Sequence, residues 1–398
     1  MSENSKIAAR FSEVLTPNYR TPAIAIVRGE GCTLYDAEGR SYLDMMGGIA
    51  TVVLGHCHPR IVSALEDQAH LLWHTSNLFA STPQIELAER LVARSFADRV
   101  FFANSGAEAN EAALKLARLY HRAHGQDRYE IIAFEGGFHG RTLFTVSATG
   151  TPAYWKGFEP MVPGIHHAPF GDPEAVRGLC SERTAAIIVE PIQGESGVRP
   201  APEGFLAELR EIADENGCLL IIDEVQTGMG RTGTLFAHEP SGVTPDIVTV
   251  AKALGNGIPI GAMLTREEVA KALEPGTHGS TFGGNPLSAA CATAVVDELF
   301  SGGVLEESRQ IGLYLGEQLE AMQQRLGENK VEDVRGVGHL RAVELLCPAA
   351  PVIDRCRERG LLVIGAGERN IRLAPPLVIR RDEVDAGLGI LEESIRAD

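Results

Sequence analysis

Three polar residues in the middle of the chain have types and positions that could do chemistry. Lys252 directly follows the apolar run IVTVA, and a lysine at the buried end of a strand can have a lowered pKa and attack a carbonyl. Asp223 ends the run CLLIID, where a carboxylate is costly unless a cation meets it. Ser105 stands in NSGA, between a predicted strand and a predicted helix, where backbone N–H groups can hold an anion. Taken singly, these residues could also be a lysine that extends to solvent, a structural aspartate and a helix cap with Glu108.

Taken together, the three residues match the groups of one cofactor. One end of the set would hold an anion, the middle would meet a cationic ring, and the other end would bond an aldehyde covalently. Pyridoxal 5'-phosphate carries a phosphate, a pyridine nitrogen and an aldehyde. The sequence therefore predicts this cofactor, with Ser105, Asp223 and Lys252 around it.

The elements around these residues predict a parallel sheet that places them at the carboxyl ends of its strands. Helical spacing of apolar residues begins at Ala109 and again at Phe205, and the second helix closes at Asn216-Gly217. Continuous apolar strands that alternate with helices indicate a parallel sheet covered on both faces, and ligands bind beyond the carboxyl ends of such strands. The strands are predicted at 100–102, 131–134, 185–189, 219–222 and 247–250. The polar residues expected at their ends are Asn104-Ser105, Glu190, Asp223-Glu224 and Lys252.

The chain is predicted to have three parts and an α/β fold. Residues 1–55 are rich in turns, with a short strand at 33–36, and are expected to pack with a smaller domain. Residues 56–300 would form the large cofactor-binding domain. Residues 301–398 would form a small α+β domain, with short strands at 338–346, 361–364 and 371–373 around a helix near 352–358.

Composition excludes several classes of function. The 398 residues include 36 Lys and Arg against 53 Asp and Glu, a net charge of -17, which disfavours nucleic acid and anionic membranes. No apolar run approaches the ~18 residues of a membrane helix, and MSENSKIAAR has no apolar core typical of a signal peptide. Seven scattered cysteines without a CxxC pair favour a reducing, cytoplasmic setting. His56-Cys57-His58 has no further ligands nearby, so no metal site is expected.

One motif favours a different cofactor. Residues 228–233, GMGRTG, match the GxGxxG fingerprint of dinucleotide-binding proteins. The fingerprint needs a strand directly before it and a helix directly after it, and neither pattern is present. No acidic residue ends a strand about 20 positions later, as ribose binding would require. A nicotinamide-dependent oxidoreductase stays a remote alternative, as does a non-catalytic sensor that binds pyridoxal phosphate.

Over nearly its whole length the chain resembles the class III (ornithine/acetylornithine-type) pyridoxal-phosphate aminotransferases. The similar blocks, in the family's order, are LGHCHP, NSGAEANEAALKLAR, FHGRT, VEPIQGESGV, LLIIDEVQTGMGRTG, DIVTVAKALGNGIPIGAML and HGSTFGGNPL. The resemblance implies the aspartate-aminotransferase fold (PLP fold type I). That fold has a large, mostly parallel, seven-stranded sheet domain and a smaller α+β domain.

The resemblance also implies a role for each residue that matches the family's motifs. Lys252 would bond the cofactor's aldehyde carbon, and Asp223 would keep the pyridine nitrogen protonated. The remaining cofactor-binding residues would be Ser105, Gly106 and Ala107 at the phosphate, Phe138, His139, Val225 and Gln226 around the ring, and Thr281 of the partner subunit. The substrate-binding residues would be Arg141 and Arg372 for carboxylates, Glu195 as a mask for Arg372, and Ser280.

Within the family, SNLF, FHGRTL and IRLAPPL are most similar to members that act on acetylornithine or succinylornithine. The expected reaction transfers the amino group of N-acetylornithine to 2-oxoglutarate and gives a semialdehyde and L-glutamate, a step of arginine biosynthesis. A homodimer with shared active sites is implied. Arg141 favours a donor with an α-carboxylate over a simple ω-amine, but succinylornithine, ornithine and lysine-pathway amines stay open as donors.

Overall fold

The computed structural model describes residues 1–397. Its strands are β1 (Ile26–Glu30), β2 (Thr33–Asp36), β3 (Ser41–Asp44), β4 (Arg99–Ala103), β5 (Glu130–Phe134), β6 (Ile165–Ala168), β7 (Thr184–Val189), β8 (Ile192–Gln193), β9 (Arg199–Pro200), β10 (Leu219–Asp223), β11 (Ile247–Val250), β12 (Gly261–Thr265), β13 (Val331–Val337), β14 (Leu340–Leu345), β15 (Leu361–Leu362), β16 (Ile364–Gly365) and β17 (Asn370–Leu373). Its α-helices are α1 (Glu3–Val14), α2 (Gly47–Ala50), α3 (Pro59–Ala69), α4 (Thr82–Val92), α5 (Gly106–Ala123), α6 (Leu143–Ala148), α7 (Pro173–Leu179), α8 (Phe205–Asn216), α9 (Glu267–Ala270), α10 (Pro286–Phe300), α11 (Val304–Leu326), α12 (Ala349–Glu358) and α13 (Arg381–Arg396). Short 3-10 helices span Pro152–Tyr154, Glu239–Ser241 and Lys252–Gly255.

Seven strands form the central sheet, in the order β4-β12-β11-β10-β7-β5-β6. The four strand pairings that do not involve β12 are parallel. β12 runs antiparallel to both of its neighbours, β11 and β4. Six strands therefore share one direction, which confirms the predicted α/β fold with a mostly parallel sheet. The sequence prediction named neither β6 nor β12.

Helices cover both faces of this sheet because its strands are apolar on both sides. In β10, Ile221 packs in one cluster with Leu116 of α5. The next residue, Ile222, packs in the other cluster with Leu209 of α8 and Val295 of α10. Successive side chains of a strand point to opposite faces, so a continuous apolar run is the pattern of a strand buried on both.

The two ends of the chain meet in a second region. β13, β14, β17 and β16 form an antiparallel sheet, and β15 pairs in parallel with β3 of the N-terminal segment, with Leu361 opposite Leu43. Cys32 and Met45 share a core cluster with Leu391 of α13. The division of the chain at residues 55 and 300 stays a prediction.

The strand predicted at 361–364 is instead two short strands. Leu361 and Leu362 pair with β3, whereas Ile364 and Gly365 pair with β17, so Val363 separates strands of different sheets. A run of apolar residues indicates only that the segment is buried, and it does not indicate which sheet each residue joins.

Within residues 1–397, no single helix is long and apolar enough to cross a membrane. The consecutive helices α10 and α11 meet that criterion only as a pair, with a bend of 66° between them.

Candidate active site

A cavity of about 350 Å³ lies beyond the carboxyl ends of the parallel strands. Asp223 is the last residue of β10, and Lys252 is the second residue after β11. Ten residues predicted from the sequence are among those that line the cavity: Ser105, Gly106, Ala107, Phe138, His139, Arg141, Asp223, Val225, Gln226 and Lys252. The fold thus brings together residues that are far apart in the chain.

One end of the cavity is the N-terminus of α5. Ser105 caps this helix, and its hydroxyl accepts the Glu108 N–H at 3.2 Å. The Glu108 carboxylate accepts the N–H of Asn104 at 2.6 Å rather than that of Ser105, so the predicted capping box is only half formed. A Cβ on Gly106 would lie 2.6 Å from the Val225 side chain, so a residue without a side chain is needed there. The first N–H groups of a helix have no partner within the helix, and together with the helix dipole they fit a phosphate.

Asp223 forms the centre of the cavity wall and is only 3% exposed. Its Oδ2 accepts hydrogen bonds from Asn110 Nδ2 at 2.7 Å and from His139 Nδ1 at 2.8 Å. Its Oδ1 accepts the Val225 N–H at 2.9 Å. Burial lowers the pKa of His139, but the hydrogen bond and charge of Asp223 outweigh burial and leave this pKa above its usual value. Three donors therefore converge on this carboxylate, which can only accept hydrogen bonds when ionised.

Lys252 is partly buried on the wall of the cavity, and burial lowers the pKa of its amine. The charge of Glu195 opposes this shift, while the charge of Arg372 adds to it. The backbone at Lys252 has a φ of 41°, in the left-handed region that non-glycine residues rarely adopt. A buried amine with a lowered pKa is more often neutral, which is the form that attacks a carbonyl.

Arg372 of β17 is buried beside Glu195 and Gln226. Its Nη1 donates to Glu195 Oε1 at 2.6 Å, to Gln226 Oε1 at 3.0 Å and to the Gly194 carbonyl oxygen at 2.9 Å. Its Nε is buried and has no acceptor among residues 1–397. This guanidinium can therefore take a further acceptor, such as a second carboxylate.

Glu195 is held in place by two of these neighbours. Gln226 Nε2 donates to its Oε1 at 3.2 Å, in addition to the hydrogen bond from Arg372. Burial opposes ionisation, but the charge and hydrogen bond of Arg372 hold the pKa of the Glu195 carboxyl below its usual value.

Arg141 provides a second guanidinium, at the mouth of the cavity. Its guanidinium carbon lies 3.6 Å from the centre of the Tyr154 ring and 5.2 Å from that of Phe138. It makes no ion pair in the described part of the chain, so its charge is available to a carboxylate in the cavity.

Within residues 1–397, two predicted residues on one loop, Ser280 and Thr281, do not line the cavity. The Ser280 hydroxyl accepts from Asn104 Nδ2 at 3.1 Å and from the Gly283 N–H at 3.0 Å. Thr281 is exposed on the same loop. Arg372 and Glu195 also lie outside the lining, but both contact Gln226, which lines it.

Sequence reasoning missed Asn110 and gave no role to Glu190. Asn110 is a buried polar residue on the inner face of α5, four residues after Gly106. The only signal in the sequence was a polar residue beside the apolar positions of this helix. The Glu190 carboxylate lines the cavity and accepts the Phe138 N–H at 2.9 Å. Burial raises the pKa of Glu190 to about 7.

The arginine of the GMGRTG loop makes a structural contact with the C-terminal region. Arg231 is fully buried, and its guanidinium donates to the carbonyl oxygen of Pro375. Gly230 and Gly233 have positive φ, and turns rather than a helix follow the loop. The dinucleotide fingerprint therefore lacks the strand and helix that would make it a phosphate site.

Comparison with known proteins identifies one family. The family model described as Aminotransferase class-III matches residues 14–395. Acetylornithine aminotransferase of Myxococcus xanthus is 52% identical over 385 residues, covering 96% of each chain. Succinylornithine transaminase/acetylornithine aminotransferase of Pseudomonas aeruginosa is 45% identical, covering 97% of this chain and 96% of that one. The ornithine aminotransferase of Toxoplasma gondii, a structure with partial occupancy of PLP at its active site, superposes with a TM-score of 0.95 at 33% identity, covering 100% of this chain and 95% of that one.

The Arg372–Glu195 pair predicts a specific pH dependence of stability. Because the pKa of Glu195 is lowered in the folded state, its contribution is present above the unfolded value of about 4.3 and is lost as the pH falls through the folded value. Glu195→Gln removes the titrating group and keeps an acceptor for Arg372. We expect the free energy of unfolding of the cofactor-free parent to fall more steeply from about pH 5 to about pH 3 than that of the variant.

Urea unfolding at a series of pH values measures this difference. Glu66→Gln, which changes an exposed carboxyl of α3, is the matched control and should follow the parent. Parallel pH profiles of the parent and Glu195→Gln would contradict the stabilising role of the pair.

Proposed function

The chain belongs to the class-III aminotransferases, and on that premise we propose that it transfers the amino group of N-acetylornithine to 2-oxoglutarate, with pyridoxal 5'-phosphate as its cofactor. The products are the semialdehyde and L-glutamate, a step of arginine biosynthesis. The observation that carries the proposal is that the amine of Lys252 and the buried carboxylate of Asp223 lie on the walls of one cavity.

The cavity residues fit the cofactor in charge and in hydrogen-bonding groups. When bound, pyridoxal phosphate supplies an aldehyde carbon and a ring that accepts electrons. The N-terminus of α5, at Ser105, Gly106 and Ala107, would hold the phosphate. The Asp223 carboxylate would accept a hydrogen bond from the protonated ring nitrogen, with His139 bonded to its other side. The ring itself would lie between Val225 and Phe138, with Gln226 at its phenolic oxygen.

Lys252 would act first as a nucleophile and then as a base. Its buried amine has a lowered pKa, so a neutral Nζ is available to attack the aldehyde carbon. After the substrate amine has displaced it, the same Nζ would take a proton from the amine-bearing carbon of the substrate and deliver it to the cofactor's aldehyde carbon. The negative charges of Asp223 and Glu195 help the protein to hold that proton on Nζ.

Two arginines would bind the carboxylates of the two substrates. Arg141 would bind the α-carboxylate of the amino donor, because its charge faces the cavity without an ion-pair partner in the described residues. The donor has no second carboxylate, so Glu195 can stay bonded to Arg372 while it reacts. 2-Oxoglutarate brings a second carboxylate, which would replace Glu195 at Arg372 with a bidentate pair.

The active unit would be a homodimer. A surface of exposed apolar side chains comprises Leu71, Leu72, Trp73, Leu78, Phe79 and Phe282. Asn77 Nδ2 donates to the carbonyl oxygens of Ser280 and Gly283, each at 3.1 Å, so this surface adjoins the loop that bears Thr281. Exposed apolar surface of this kind marks protein interfaces. Thr281 of the partner subunit would thereby reach the phosphate.

A panel of amino donors with 2-oxoglutarate, measured as glutamate formed, tests the reaction. N-Acetylornithine should give the highest kcat/KM, ahead of ornithine, 4-aminobutyrate and lysine-pathway amines. Succinylornithine belongs in the panel because the Pseudomonas aeruginosa relative is also named as its transaminase. Borohydride should fix the cofactor to Lys252 in the parent and leave none fixed in Lys252→Ala. A parent that forms no borohydride adduct, or no glutamate with any donor, would refute the proposal.

Arg372→Ala should weaken the use of 2-oxoglutarate selectively. Each hydrogen bond to an ionised group contributes about 1.5–3 kcal/mol, so loss of a bidentate pair should cost about 3 kcal/mol or more, a rise in KM of at least roughly 100-fold. The variant should retain the visible absorbance of the bound cofactor. Arg369→Ala, which removes an exposed arginine that pairs with Glu332 and Glu344, is the control and should keep the parent's KM. Equal KM values for Arg372→Ala and the parent would contradict the assigned role.

Phe79→Asp tests the proposed dimer. Phe79 is 66% exposed in the single chain, and a charge there would be buried in the proposed interface. We expect the parent to have the mass of a dimer in light scattering and Phe79→Asp to shift toward the monomer with loss of activity. Leu346→Asp, an exposed position away from this surface, should stay dimeric. A monomeric parent that is fully active would overturn the shared active site.

A further inference from the structure

A chain of buried polar side chains lies behind the candidate ring-binding carboxylate. Thr249, Asn110, Asp223 and His139 are each 3% exposed or less. They come from four different parts of the sequence, α5, the loop after β5, β10 and β11, and meet at the carboxyl end of β10. Asn110 is among the residues that line the cavity, but its hydrogen bonds run to Asp223, to the His139 carbonyl oxygen and to Thr249, which lies outside the lining. A role in holding Asp223 would explain why these polar groups are buried here.

Asn110 uses both ends of its amide. Its Nδ2 donates to Asp223 Oδ2 at 2.7 Å and to the His139 carbonyl oxygen at 2.8 Å. Its Oδ1 accepts the Thr249 hydroxyl at 2.6 Å. The carboxylate and the carbonyl can only accept hydrogen bonds, so the amide must turn its NH₂ group toward them. The hydroxyl of Thr249 stabilises this orientation, because it donates to the amide oxygen.

The sheet fixes the position of Thr249. It lies directly beside Asp223 in the parallel pairing of β10 and β11. Its carbonyl oxygen accepts the Glu224 N–H at 2.9 Å, which ties the end of β10 to β11. The backbone that carries the Thr249 hydroxyl is therefore held next to the residue that Asn110 has to orient.

The donors to Asp223 leave one side of its carboxylate for a ligand. An ionised carboxylate has about four acceptor positions. Asn110, His139 and the Val225 N–H use three of them, and Asp223 lines the cavity. Hydrogen bonds to the ionised form keep a carboxylate deprotonated, so a proton shared with a ring nitrogen stays on the ring.

We propose that Asn110 and Thr249 are positioning residues that keep Asp223 ionised and aimed at the ring nitrogen of the cofactor. The inference rests on the proposed function, because it takes Asp223 as the partner of that nitrogen. Without the Thr249 hydroxyl, the Asn110 amide can turn its oxygen toward Asp223. The repulsion between the two oxygens would move the shared proton from the ring to the carboxyl, and the ring would accept electrons less well.

Thr249→Val tests this role, because it removes the hydroxyl and keeps the shape of the side chain. The direct measurement is the ¹⁵N NMR shift of the ring nitrogen in holoenzyme loaded with ¹⁵N-labelled pyridoxal phosphate. We expect the resonance to move toward its unprotonated value. We also expect kcat to fall by about tenfold, since one hydrogen bond in a charged network is lost, while KM for the donor stays within about threefold. Thr249→Ser, which restores the hydroxyl, should return both values to those of the parent.

Thr265→Val is the matched control. Thr265 is also a buried strand threonine, and its hydroxyl donates to the Asp246 carbonyl oxygen at 2.9 Å. It pairs with Ile247, at the end of β11 that lies away from the cavity. Thermal unfolding of the cofactor-free proteins should show similar losses in Thr249→Val and Thr265→Val. Only Thr249→Val should change the ¹⁵N shift and kcat.

The outcomes separate this inference from the proposed function. A parent holoenzyme without a protonated ring nitrogen would refute both. A parent with a protonated ring nitrogen, and a Thr249→Val variant with the same shift and kcat, would overturn only the positioning role. If Thr249→Val does not fold, Asn110→Asp decides the matter, because it places a second carboxyl beside Asp223 and should move the resonance in the same direction.

Discussion

The structure depends on one costly feature, a carboxylate buried at the end of an apolar strand. Asp223 closes β10, whose other residues pack into the core on both faces of the sheet. A charge in such a place is stable only if other groups replace the water it has lost. The protein provides three donors from α5, from the loop after β5 and from the backbone after β10. This need explains why a histidine and an asparagine are buried beside a site that binds a small molecule.

The other charges near the cavity form a balanced set around this carboxylate. The charge of Glu195 opposes the lowering of the Lys252 pKa by burial, and the charge of Arg372 in turn lowers the pKa of the Glu195 carboxyl. Glu190 is buried with a raised pKa, so near neutral pH it adds less negative charge than a free carboxylate would. In the proposed function, a substrate carboxylate would replace Glu195 at Arg372, so two substrates that differ by one carboxylate would use a single cavity.

The same physics explains the loop that resembles a dinucleotide fingerprint. In GMGRTG the glycines allow a tight turn, and the arginine is buried against backbone carbonyl oxygens of the C-terminal region. Burial lowers the pKa of Arg231 to about 10. Its guanidinium is bonded to carbonyl oxygens of the protein, so the arginine has a structural role and needs no phosphate partner. Glycine spacing alone is therefore weak support for a nucleotide site.

Local sequence determined the parts of this protein that depend on neighbours along the chain. Apolar runs predicted β5, β7, β10 and β11, helical spacing predicted α5 and α8, and the residues after the strands included Asp223 and Lys252. Other features depended on distant residues. Four features have no signal in a short stretch of sequence. They are the antiparallel direction of β12, the division of 361–364 between two sheets, the half-formed capping box at Ser105 and the approach of Arg372 to Glu195. Asn110 and Thr249 are 139 residues apart and meet only through the packing of α5 on β11. Sequence fixes what each segment tends to form and which groups it carries, whereas the tertiary structure decides which groups share a buried space, because hydrogen bonds and charges act through distance in space and not along the chain.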